Sequence, residues 1–274
     1  MKSVSLSPWA LAAASLLAIT LTPAAHAETL DCTPITSLPA TISTQGLYCL
    51  TGNLTTAQTS GSAIVIAANN VTLDLNGWKV GGQAAGTGTI AYGILSNAVN
   101  VTVRNGIVRG FYRGIYLNGR GALVRDMLVD QNTNIGISVG GQGAVVEHNQ
   151  VIDTGGSTSG ASVYAKGIET LGFGTTVTDN MVSGVTATGS SLEYGIYVTN
   201  YFSVVRNNVV SDDTQSAAGT SYGIYQTNSS AVNNTVSNFD VGVFSSSGIY
   251  AHNTAYNCTT SYAGTGTAGA GNSP

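Results

Sequence analysis

Apolar and polar residues alternate over short stretches along most of the chain, and no helical 3.6-residue period survives past the N-terminal segment. These stretches are rich in Val, Ile, Thr and Tyr and are bounded by Gly, Asn and Asp, which predicts many short β-strands. The pattern also repeats. Val-x-x-Asn-x-Val occurs at 146–151, 177–182 and 205–210, with weaker copies at 231–236 and 250–255. Upstream, 103–108 and 124–129 keep the valines but carry Gly106 and Met127 at the Asn position, and 73–78 restores it with Asn76. A second element accompanies seven of the eight copies: Gly93-Ile94, Gly114-Ile115, Gly136-Ile137, Gly167-Ile168, Gly195-Ile196, Gly223-Ile224 and finally Gly242-Val243. The spacings between these pairs are 21, 22, 31, 28, 28 and 19 residues, so a coil of about 20 residues takes variable insertions.

A repeat of three short strands cannot bury an apolar face alone, so copies stack and like residues lie above one another. The expected architecture is therefore all-β, a parallel β-helix of about eight coils. Asn149, Asn180, Asn208, Asn234 and Asn253 would form a ladder at one bend, where Asn tolerates a left-handed backbone and bonds to the Asn one coil away. The Gly before each Ile permits close backbone approach. The competing architecture is an antiparallel sandwich or barrel, whose turns would not repeat one motif in the same order.

The Gly-Ile-Tyr and Val-x-x-Asn-x-Val motifs, over roughly 63–258, resemble those of right-handed parallel β-helix repeat proteins of the pectin-lyase-like superfamily. The resemblance implies a right-handed coil. The segment Leu73-Asp74-Leu75-Asn76-Gly77 looks like the first coil of bacterial members, residues 28–62 look like an N-terminal cap, and 259–274, rich in Gly, Ala and Ser, reads as a loose tail. It further implies a polysaccharide-directed role, with the substrate cleft formed by the Gly-Ile strands and the loops before them. The longest of those loops fall at 155–165, 186–193 and 214–221. Such motifs specify a fold far more than an activity.

The ends of the chain and its composition add a compartment. Lys2, an uncharged apolar run from Trp9 to Thr22 and Ala25-His26-Ala27 read as a cleaved export signal over 1–27, with an uncleaved anchor as the alternative. A secreted protein, extracellular or periplasmic, is expected. Removing the signal leaves 8 basic against 13 acidic side chains, a net of −5, and no basic patch for nucleic acid. Charged residues are only 8% of the chain, against about 25% in an ordinary domain. Cys32 and Cys49 are close in sequence and ahead of the repeats, so a disulfide between them is expected after export. Cys258 would lie about 35–40 Å away and remain a free thiol unless it pairs between chains.

Alternation assigns the candidate chemistry to one face. With the isoleucines inward, the following residues point outward: Leu95, Tyr116, Ser138, Glu169, Tyr197, Tyr225 and Phe244. The residues before each Gly join them: Tyr92, Arg113, Ile135, Lys166, Tyr194, Tyr222 and Val241. Tyr92, Tyr116, Tyr194, Tyr197, Tyr222 and Tyr225 thus form a substrate-binding stripe beside the longest loops, each offering a flat apolar ring and a hydroxyl. Cross-coil packing of tyrosines is the structural alternative. Lys166 or Arg113 could bind a uronate carboxylate, and a desolvated Lys166 could act as a base. Glu169 with Asp212 or Asp213 would make a two-carboxylate pair for glycoside hydrolysis, against the alternative that two adjacent acids at a strand-to-loop junction are simply solvated.

Other features point away from chemistry. A second stripe of Asp74, Arg104, Arg125, Glu147, Thr178 and Arg206 reads as a surface charge ladder, with Arg125 and Glu147 as neighbours on adjacent coils. His148 and His252 occupy equivalent bends four coils apart and read as turn residues. The chain has no Gly-His-Gly, no Arg-x-Lys, no Asp-Pro-His-Asp and no acidic cluster with calcium spacing, so neither a metal nor a cofactor is expected. Three functions remain open: a polysaccharide lyase or glycoside hydrolase, a non-catalytic glycan-binding module, and a structural or adhesive scaffold.

Overall fold

A computed structural model of the chain describes residues 31–212 and 219–274. The segment 1–27 read as a signal and Asp213 lie outside the described residues. Among these residues every strand pairing inside the sheets is parallel, and the strands fall into two sheets, one of ten and one of eighteen strands. One coil shows the plan. Ile135–Val139 lies in the ten-stranded sheet, then Val145–Glu147 and Gln150–Gly155 lie in the other, and a loop leads to Ala165–Thr170 back in the first.

The repeat register read from the sequence is the register of the sheets. Ile64, Ile94, Ile115, Ile137, Ile168, Ile196, Ile224 and Val243 stack in one column, each buried. The column of glycines beside them faces the core. A Cβ on Gly136 would lie 2.5 Å from Val151 Cγ1 and 2.7 Å from the carbonyl oxygen of Gly167 one coil on. The valines of the opposite sheet therefore fill the space that the glycines leave.

The ten-stranded sheet exceeds the eight coils that the motifs count. Residues expected as a separate cap supply its first strand, Ala40–Ile42, which pairs in parallel with Ser62–Ile66 at the start of the expected β-helix. The tail expected to be loose adds Thr260–Gly264, paired with Val241–Ser246, and Thr267–Ala268, paired with Ile249–Ala251. Both segments lack the full motif, but their backbones still complete the ladder of the neighbouring coil. The Cys32–Cys49 disulfide is formed at the N-terminal end, with the Cα atoms 5.8 Å apart, and Cys258 is a free thiol.

The asparagine ladder is continuous. The amide nitrogen of Asn149 donates to Asn180 Oδ1, Asn180 to Asn208, and Asn208 to Asn234, each at 3.0 Å. Asn234 donates to Asn253 at 2.9 Å, and Asn253 to Asn272 at 3.3 Å, inside the segment expected to be loose. The left-handed residue is not the ladder Asn, as expected, but the one before it: His148, Asp179, Asn207, Asn233 and His252 have φ between 53° and 57°. That turn aims the ladder side chain inward and leaves its predecessor outside, which accounts for both histidines. Asn76 is one of these exposed left-handed residues and not a ladder member, because its bend is two residues longer than the next coil's. In the charge stripe, Arg104 pairs with Asp74 at 2.9 Å. Arg125 is in register with Glu147 but makes its ion pair with Asp126, at 3.6 Å.

Candidate functional site

The two outward columns of the ten-stranded sheet run as Tyr92, Arg113, Ile135, Lys166, Tyr194, Tyr222, Val241 and as Leu95, Tyr116, Ser138, Glu169, Tyr197, Tyr225, Phe244. They do not form one open stripe. Ile135, Ser138, Lys166, Glu169 and Tyr194 are buried, where alternation alone expected exposure. Two causes combine: Tyr164, at the end of the longest insertion, closes over Lys166, and neighbouring rings cover one another. The face is thus divided into two aromatic patches with an ion pair between them.

The larger patch is a block of stacked rings. Tyr194 and Tyr222 stack at 5.4 Å between centroids, Tyr197 and Tyr225 at 5.3 Å, and Tyr225 and Phe244 at 4.6 Å. Edge contacts lock the columns together, with Tyr194 against Tyr197 at 4.8 Å and Tyr222 against Tyr225 at 5.4 Å. These spacings follow from the coil repeat, since like residues one coil apart sit a strand spacing apart. The smaller patch stacks Tyr92 on Tyr116 at 5.8 Å, with the Arg113 guanidinium 5.3 Å from the Tyr116 ring and 5.9 Å from that of Tyr92. Among the described residues Arg113 has no carboxylate within ion-pair distance.

Lys166 and Glu169 meet because Gly167 and Ile168 both turn inward, which brings residues three apart onto one side of the strand. Lys166 Nζ is 2.5 Å from Glu169 Oε1. Ser138 Oγ donates to the other carboxylate oxygen at 2.6 Å. The ammonium also lies 3.7 Å from the centroid of Tyr197, 4.7 Å from Tyr164 and 5.7 Å from Tyr194. The result is a cation held by one carboxylate inside three aromatic faces. A cleft of about 370 Å³ opens beside it, lined by Tyr164, Lys166, Ser191, Leu192, Tyr194 and Tyr197.

Burial, and then the neighbouring Tyr197, push the Tyr194 hydroxyl up to about 12. Burial also raises Tyr197, as it does Tyr112. These phenols are neutral at physiological pH, so they donate and accept hydrogen bonds and do not abstract protons.

Asp212 is buried in a different place. It lines a cleft of about 280 Å³ with Asp153, Gly184 and Thr186, none of which lines the tyrosine cleft. It sits where the second sheet ends, whereas Lys166 and Glu169 sit on the other sheet after the insertion. Tyr164, Ser191 and Leu192 are lining residues that alternation could not find, because they lie in insertions outside the strand period. Their one sequence signal is position: each falls within three residues of a motif strand, on the loops singled out for length.

The architecture is shared with several solved structures. The Dettilon tailspike protein (gp208) matches with a TM-score of 0.60 at 16% identity, over 81% of this chain and 54% of its own. Tailspike protein 2 from the Escherichia coli O157:H7 bacteriophage CAB120 matches at 0.53 and 13%, over 85% of this chain and 34% of its own. The Agl-KA catalytic domain matches at 0.50 and 10%, over 78% of this chain and 48% of its own. The chain spans about half of the first of these structures and less of the others. No protein-family model matches the chain, and no curated protein matches it. With the parallel sheets described above, these likenesses define the class: the chain has the right-handed parallel β-helix fold.

Proposed function

We propose that this protein is exported and binds a polysaccharide chain along the aromatic face of the ten-stranded sheet. The observation that carries the reading is the block of Tyr194, Tyr197, Tyr222, Tyr225 and Phe244 beside the cleft at Lys166. The half-buried rings of Tyr197, Tyr222, Tyr225 and Phe244 offer apolar edges to sugar C–H surfaces, and the tyrosine hydroxyls offer hydrogen bonds to sugar hydroxyls. The resemblance to polysaccharide-directed β-helix proteins supports the ligand class, and the Cys32–Cys49 disulfide fits an oxidising compartment.

Binding ranks ahead of catalysis on electrostatic grounds. Of the two uronate receptors that the sequence suggested, Lys166 is already paired with Glu169, which disfavours it. The absence of a carboxylate partner for Arg113 among the described residues favours Arg113 for that role. Catalysis is favoured by one observation, the Lys166–Glu169–Ser138 array at the cleft, where a bound sugar that parted the ion pair would expose a base.

A panel of neutral and acidic polysaccharides tests the reading by affinity electrophoresis, with unsaturated and reducing ends assayed in parallel. Tyr197→Ala and Tyr225→Ala are expected to lose retention while remaining folded, and Arg113→Gln to lose it on polygalacturonate alone. Undiminished retention in both tyrosine variants would sink the groove. Product release abolished by Glu169→Gln would make the face an active site.

A further inference from the structure

A second exposed aromatic cluster lies outside the tyrosine face, on the turns that leave the ten-stranded sheet. Leu171, Phe173, Tyr201 and Phe202 are all exposed. The rings of Phe173 and Tyr201 stack at 6.1 Å, and Phe202 lies 6.1 Å from Tyr201. Phe202 is the exceptional member. It is 82% exposed, and its φ is +64°. The left-handed residues of the corresponding turns on other coils are Asn70, Asn100, Gly121, Gly143, Gly174, Asn228 and Ser247. Left-handed backbone is the province of Gly and Asn, and a bulky side chain there is an outlier. Core packing does not account for a ring that is almost wholly in solvent. Turn chemistry would favour Gly.

The turn itself is firmly held. Asn200 Nδ2 donates to the Leu171 carbonyl at 2.8 Å, Ser229 Oγ donates to the Asn200 carbonyl at 2.7 Å, and Thr175 Oγ1 donates to Ser203 Oγ at 2.9 Å. The backbone N–H of Phe202 donates to the Asn228 carbonyl at 3.1 Å. The coils above and below thus impose the strained conformation and fix the ring outward. Beside it runs a trough of about 530 Å³ lined by Phe202, Asn228, Ser230, Ser247, Gly248 and Ile249 among others, with no charged residue in its lining. The side chains of Asn228, Ser230 and Ser247 have no hydrogen-bond partner among the described residues.

We propose that these turns form a second saccharide site, for an uncharged sugar unit, with the Phe202 ring as stacking platform and Asn228, Ser230 and Ser247 as hydrogen-bond partners. An outward ring next to uncharged amide and hydroxyl groups is complementary to a pyranose, which has an apolar C–H face and a rim of hydroxyls. The absence of charge in the trough selects neutral sugars. The site shares its ligand class with the tyrosine face and none of its residues, so each can fail alone.

The test compares full-length exported protein with Phe202→Gly and with the double variant Tyr197→Ala/Tyr225→Ala. Affinity electrophoresis is run against hydroxyethyl cellulose, laminarin, galactomannan and dextran. Phe202→Gly should melt at or above the wild-type temperature, because Gly takes the left-handed turn freely. It should bind at least one of these polymers about threefold to tenfold more weakly, the worth of one aromatic stacking partner. Asn228→Ala/Ser230→Ala should weaken the same polymer. Wild-type binding by Phe202→Gly overturns the second site, and if the tyrosine variant then loses retention the first site stands. Loss in Phe202→Gly with none in the tyrosine variant does the reverse. A Phe202→Gly protein that melts well below wild type shows a packing role for the ring and overturns the proposal. No retention of wild type on any of these neutral polymers overturns the second site and leaves the first to be decided on polygalacturonate.

Discussion

Glu169→Gln isolates the charge at the centre of the candidate site. In the native protein Lys166 is 8% exposed and Glu169 is 3% exposed, and their charged atoms are 2.5 Å apart. Removing one partner of a buried pair typically costs about 3–5 kcal/mol, because the other charge is left without compensation. Here the ammonium keeps its contacts with Tyr197, Tyr164 and Tyr194, and a cation over a desolvated ring is worth about 0.5–2 kcal/mol. The expected loss is therefore about 2–4 kcal/mol. Urea unfolding followed by circular dichroism reads it. With a slope of about 1–3 kcal/mol per molar urea, the midpoint falls by about 1–2 M.

The double variant Lys166→Met/Glu169→Gln separates charge from packing. Met preserves most of the lysine stem and leaves no buried ion, so stability should return to within about 1 kcal/mol of wild type or exceed it. An Glu169→Gln protein as stable as wild type would refute the reasoning, since the pair would then be hydrated. A double variant weaker than the single one would refute it as well, since the loss would lie in packing. The single variant also frees the Lys166 charge, so its retention on polygalacturonate should rise if the cleft reaches the ammonium.

Three further outcomes are expected. Asn208→Ala should lose about 3–5 kcal/mol in urea unfolding, because it strands the Asn180 N–H and the carbonyls of Val177 and Arg206, whereas Asn207→Gly, one residue away and exposed at φ 56°, should change stability by less than about 0.5 kcal/mol. Gly136→Ala should cost at least about 1–3 kcal/mol by the same measurement, since its Cβ would lie 2.5 Å from Val151 Cγ1. Between pH 10 and about 12 the unfolded chain ionises Tyr194 and the native protein does not, so the native state holds more protons and stability falls as pH rises through that window; Tyr194→Phe should flatten the fall by about 2–3 kcal/mol in pH-dependent urea midpoints.

The fold was legible because a β-helix writes its contacts into its period. Ile168 over Ile196, Gly167 over Gly195 and Asn180 over Asn208 are each one repeat apart in sequence and one strand spacing apart in space. The terminal coils were illegible for the same reason. Ala40–Ile42 and Thr260–Gly264 pair through backbone groups, which leave no side-chain motif. Alternation placed the right residues on the right face but misjudged their exposure. It says which way Lys166 points and nothing about Tyr164, which an insertion outside the period folds over it. Asp212 was linked to Glu169 by chemistry alone, and the coil geometry sets Glu169 within the ten-stranded sheet and Asp212 just past the end of a strand of the other.

The residues that depart from their column are the ones that need an explanation beyond folding. Stacking rewards likeness, so each column drifts toward the residue that packs best on its own copies. Lys166 stands between Ile135 and Tyr194, and Glu169 between Ser138 and Tyr197, where apolar or neutral residues would stack without a buried charge. Phe202 stands between Gly174 and Asn228, where either would relieve the backbone. Each departure carries a folding cost, of desolvation in the first case and of conformation in the second. The costs fall beside the two clefts that present aromatic rings to solvent, at Tyr197 and at Phe202. In a solenoid of this kind the aligned repeat is thus a map of what folding wants, and the departures from it are where the two proposed ligand sites lie.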